Sequence, residues 1–114
     1  MSIKFSWDVD IGATSSEGEI IYFGPREYIT YIATDGRKLL LTHLFDYEDK
    51  HYVSGVWFPE SRKWGENEEG EAISPEEEAR IKEVITAFLT QDIDDEGEAA
   101  AEEVLWEPDG PVYD

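Results

Sequence analysis

The stretch SPEEEARIKEVITAFL, Ser74 to Leu89, is the strongest single constraint on the fold, because it carries the start, the face and the polarity of one amphipathic helix. Ser74 stands at the N-cap, Pro75 falls in the first turn, and Glu77 completes a capping box. Glu76, Glu77 and Glu78 crowd the positive end of the helix dipole. Ile81, Val84, Ile85, Phe88 and Leu89 recur at helical spacing and make one apolar stripe. Glu76 with Arg80, and Glu78 with Lys82, are i, i+4 pairs expected to add roughly 0.3 kcal/mol each. Such a stripe has to be set against another apolar surface.

The upstream sequence offers a sheet for that purpose. In IKFSWDV, Ile3, Phe5, Trp7 and Val9 alternate with Lys4, Ser6 and Asp8, the pattern of a half-buried strand. EIIYF, REYITYIA, KLLLTHLF and HYVSGVWF are rich in β-branched and aromatic residues. Asp35-Gly36, between two of these runs, predicts a tight type I′ hairpin. Gly12 to Gly18 reads as a loop, and Pro59 to Gly70 as a connecting loop with Trp64 as its anchor. The expected fold class is α+β: an antiparallel meander of about five strands packed against one main C-terminal helix, from Pro75 to about Thr90.

Residues 1 to 90 are read as a single α+β domain, and residues 91 to 114 as an acidic C-terminal segment partly docked on it. The Ala-rich EAAAEEVLW favours a short second helix there, with Val104, Leu105 and Trp106 resisting proteolysis if docked.

With 114 residues and no cysteine, the chain has no thiol nucleophile, no disulfide and no thiolate zinc site. The N-terminal MSIKFSWDVD lacks the pattern of a secretory signal and no segment is apolar enough to span a bilayer, so a cytoplasmic location without membrane contact is expected. The net charge is −19, and it is unevenly placed. Residues 1 to 90 hold 18 acids and 9 bases, whereas residues 91 to 114 hold 10 acids and no base. Such a field repels nucleic acid and anionic membranes and draws in cations and basic proteins.

Three constellations could use that charge. The first is QDIDDEGEAAAEE, where Asp92, Asp94, Glu96, Gly97 and Glu103 fall at EF-hand positions 1, 3, 5, 6 and 12, an alternative reading as a calcium loop spanning 92 to 103. The second is His43, Asp46, Glu48, Asp49 and His51 in THLFDYEDKH, which could hold a metal or a general base but reads more simply as a strand followed by a solvated hairpin connection.

The third is aromatic. Trp64 stands near Glu66, Glu68, Glu69 and Glu71, and Trp106 lies beside Glu107 and downstream of Asp94, Asp95, Glu96, Glu98 and Glu102. Rings among carboxylates suit the Arg and Lys side chains of a basic partner, so these residues form the expected partner-binding surface. The plainer alternative is that each Trp packs loop or tail onto the body. No GxSxG, HExxH or phosphate-binding glycine loop is present, and neither an enzyme nor a cofactor is expected.

The strand pair around Gly36-Arg37, Trp64 about ten residues before Ile73-Ser74, the ISPEE helix start, and Arg80, Ile81 and Ile85 within the helix together resemble a known family. They are similar to the bacterial immunity proteins of polymorphic toxin systems, in particular the immunity protein 74 family, over residues 28 to 90. The resemblance implies a non-enzymatic inhibitor that occludes a cognate toxin, such as a nuclease with a basic cleft. A nucleic-acid mimic that occupies a DNA-binding enzyme is the neighbouring alternative.

Overall fold

The computed structural model describes residues 3 to 8, 12 to 48, 51 to 65, 68 to 90 and 103 to 107. Within these, seven strands and one helix follow in the order β1 (Phe5–Asp8), β2 (Gly12–Ser15), β3 (Ile20–Phe23), β4 (Tyr28–Ile32), β5 (Lys38–Glu48), β6 (His51–Trp57), α1 (Pro75–Thr90) and β7 (Glu103–Trp106). The strands lie side by side in sequence order and form a half-barrel closed over by the helix. The first six pair antiparallel, and β7 pairs parallel to β6, with Val53 opposite Glu103 and Val56 opposite Trp106.

Sheet plus helix is the expected class, but the count of about five strands is corrected to seven. β2 is a strand where a loop was expected, because its sequence, Gly-Ala-Thr-Ser, has small residues for a packing reason. Gly12 has φ +109°, and a Cβ there would lie 2.7 Å from the Ile21 carbonyl oxygen, so neither the conformation nor the space admits a side chain.

β7 is a strand where a helix was expected over its residues. Burial alternates along it, with Val104 and Trp106 turned toward the core and Glu103 and Leu105 exposed. The helix is therefore not the C-terminal element but the crossover that a parallel strand pair requires.

The Asp35-Gly36 hairpin forms, with a different turn. Gly36 N–H donates to the Ala33 carbonyl at 2.9 Å, and of the two turn residues only Gly36 has positive φ, at +91°. The connection is thus a three-residue loop with the glycine in the left-handed position, not the type I′ pair.

The core lies between the inner face of the sheet and α1. Cross-strand rows Ala13–Ile21–Tyr31–Leu39 and Ile29–Leu41 meet Ile81, Val84, Ile85, Phe88 and Leu89, all 0 to 3% exposed. The capping box is made: Ser74 Oγ accepts from Glu77 N–H at 3.1 Å, and Glu77 Oε1 accepts from Ser74 N–H at 2.9 Å. Of the i, i+4 pairs, Lys82 reaches Glu78 at 3.5 Å, whereas Arg80 turns to Glu19 and Glu83.

Candidate interaction surface

The structure places Trp64 and Trp106 against the body of the protein, the plainer of the two readings, with Trp64 sealed and Trp106 half-buried. Trp64 is 3% exposed, beside Tyr31 at 6.1 Å between ring centroids, and is roofed by the Arg37 guanidinium 4.4 Å from its ring centre. An indole buries a large apolar area, so packing onto the sheet wins over exposure to water. Trp106 is half-buried, tilted against Phe58 at 5.5 Å, and its Nε1–H donates to Thr86 Oγ1 at 2.9 Å.

The expected carboxylates divide in three. Glu68, Glu69 and Glu71 are exposed in the loop after β6, and Glu68 accepts from Ser61 Oγ at 2.8 Å. Glu107 is bound to Arg62, whose guanidinium also reaches Glu78 at 3.1 Å and stacks on Phe58. Glu66, Asp92, Asp94, Asp95, Glu96, Glu98 and Glu102 lie outside the described residues.

For the calcium alternative, Glu103 opens β7 instead of an exiting helix, which departs from the EF-hand pattern. Among the described residues no group of three His, Asp or Glu side chains is placed to hold a metal. The hairpin connection expected across DYEDK is also corrected. β5 runs through Asp46 to Glu48, and Glu48 is opposite His51, so most of that stretch is strand.

At the end of the sheet where α1 begins, a polar network ties the helix to the strands beneath it. Glu19 is 3% exposed, and Arg80 grips it through two bonds, while Tyr31 O–H and Ser15 O–H donate to it at 2.6 and 2.8 Å. Burial alone pushes the Glu19 carboxyl up, but these donors and the Arg80 charge outweigh it and hold the group below its ordinary value. Burial and the Glu19 carboxylate together raise the Tyr31 phenol. Glu77, held by the Ser74 backbone and then by Arg37, falls to about 2. A cavity of about 320 Å³ borders Glu19, Tyr31, Arg37, Trp64, Glu77 and Arg80, and its guanidiniums are already committed to carboxylates.

At the opposite end, past the last turn of α1, no described element covers the inner face of the sheet. Phe23, Phe45 and Tyr52 are 47, 52 and 49% exposed. His43 sits between Phe23 and Phe45, half-buried, with its Nε2 2.9 Å from Ser54 Oγ; burial lowers its pKa. Ser54 is fully buried, so its hydroxyl is a fixed partner for the imidazole and not a nucleophile open to substrate.

These rings were not among the expected site residues. The period-2 signal was in the sequence, because Phe45 and His43 share a face with Leu41 and Leu39. The point at which the helix stops covering that face was not. Comparison with family models, curated proteins and solved structures finds no match for the chain.

Proposed function

We propose that this chain is a non-enzymatic acidic inhibitor that binds a basic protein and covers its working cleft, as an immunity protein does for a toxin. The observation that carries the reading is where the cations go. Arg37, Arg62, Arg80 and Lys82 are each engaged with carboxylates of the chain itself, chiefly those of α1 and its neighbours. Among the described residues these four bases are thus tied into the fold, and the chain as a whole still carries a surplus of 19 negative charges. A surplus larger than solubility requires opposes folding by self-repulsion, and it gains a use when a basic partner neutralises it. Complementary charge also steers such a partner into contact quickly at low salt. The resemblance to polymorphic-toxin immunity proteins supplies the role of the partner.

The test is to immobilise the chain, pass over it an extract of its native host at low salt, and assay each retained protein with and without added chain. A basic protein whose activity the chain abolishes supports the reading, and a retained DNA-binding enzyme would shift the role to nucleic-acid mimicry. Retained proteins that are acidic, or whose activity is unaffected, would overturn it.

A further inference from the structure

We propose that Phe23, Phe45 and Tyr52, arranged around His43, are the seat for an apolar segment of the partner that carries Arg or Lys side chains. This rests on the acidic-inhibitor reading and adds the place of contact.

The rings form one line running from the covered core to the open sheet. Phe88 of the last helical turn touches Phe23 at 5.2 Å, Phe23 lies 5.7 Å from His43, His43 lies 6.3 Å from Phe45, and Phe45 stacks on Tyr52 at 5.1 Å and 23°. Along β5 the same face passes from Leu39 and Leu41, both 0% exposed, through half-buried His43 to Phe45 at 52%. Single exposed rings are ordinary on a protein surface. A contiguous row that extends the core face beyond its helical cover is the mark of a contact site. The His43–Ser54 bond holds the imidazole in the middle of the row in a fixed position, so the surface is preorganised.

Charge decides the occupant. Among the described residues, Asp8 at the end of β1, Glu27 in the turn before β4 and Glu103 at the start of β7 are exposed carboxylates at this end of the sheet, and Arg26 is an exposed cation there. In sequence, the stretch joining Thr90 to Glu103 holds six carboxylates and no base, and the stretch joining Glu48 to His51 holds one acid and one base. A second copy of this chain would bring −19 against −19, and an anionic membrane or nucleic acid would be repelled likewise. A cationic segment gains twice, from the faces of the rings and from the carboxylates around them.

The experiment titrates a synthetic peptide of alternating Arg and Leu into the isotopically labelled full chain at low salt and follows amide shifts. It compares wild type, Phe45→Ser/Tyr52→Ser, and Glu68→Gln/Glu69→Gln/Glu71→Gln. Wild-type shifts are expected to centre on Phe23, His43, Phe45 and Tyr52, with affinity falling about tenfold in the ring variant and staying within about twofold in the loop variant. Should the ring variant lose the wild-type spectrum, Tyr52→Ser alone replaces it.

Shifts centred on residues 68 to 71, with unchanged affinity in the ring variant, overturn the seat and leave the acidic reading standing. Absence of binding to any of the three removes both. Sedimentation showing a dimer that the ring variant dissociates would make the occupant a second copy, against the proposal.

Discussion

The Arg80 guanidinium holds the Glu19 carboxylate by two parallel bonds, Nε to Oε2 at 3.0 Å and Nη2 to Oε1 at 2.9 Å, joining α1 to the turn between β2 and β3. The Glu19 side chain is 4% exposed, so water cannot substitute for Arg80. Arg80→Ala is therefore expected to cost about 3 kcal/mol in urea unfolding, since it strands a buried charge. Glu19→Gln/Arg80→Met should recover part of that loss. A cost below about 0.5 kcal/mol would show that the pair behaves as an exposed one.

Glu77 makes stability depend on acid. Its folded pKa of about 2 lies below the ordinary 4.5, so the stability it contributes is complete above about 4.5 and disappears as pH falls toward 2. Glu77→Gln should be less stable than wild type at neutral pH and show a shallower decline across that window, measured by urea midpoints from neutral pH downward. Glu19 shifts in the same direction, so the slope is reduced and not abolished. Equal slopes in the two proteins would contradict the assignment.

Trp64 is a core residue, and its replacement should act on folding. Trp64→Ala is expected to cost about 3 to 5 kcal/mol. Trp64→Phe should keep partner affinity while lowering the unfolding midpoint. A Trp64→Phe protein as stable as wild type but unable to bind would return this ring to the surface role read from the sequence.

The strand β7 is secured at its inner face and at its end. Glu107 N–H donates to the Val56 carbonyl at 2.7 Å, and Trp106 bonds Thr86. Hydrogen exchange should therefore show the Glu107 amide protected, and Thr86→Val should reduce that protection while costing about 1 kcal/mol. Exchange of this amide at the free-peptide rate would mean that the strand is not docked.

Much of this architecture was legible because local signals agreed with the tertiary outcome. The helix carried its cap, stripe and charge polarity in one stretch, and its observed bounds, Pro75 to Thr90, follow from them. β4, β5 and β6 were visible in their β-branched and aromatic content. β2 was hidden because close backbone approach at Gly12 selects small residues that otherwise mark loops. β7 was hidden because its alanine-rich approach favours a helix until Val104 and Trp106 find the core.

The candidate surface was legible only in its charge. Indoles amid carboxylates look alike in sequence whether they face solvent or, like Trp64, lie under an arginine. Which aromatics stay open depends on where α1 ends over the sheet, a distance that no residue pattern encodes.

The most direct test of the acidic-inhibitor account is the affinity for the retained basic partner measured across a salt series from about 50 to about 500 mM. The account predicts a steep, continuous loss of affinity, carried mainly by slower association, with recovery on return to low salt. Affinity that stays constant over the series would contradict it.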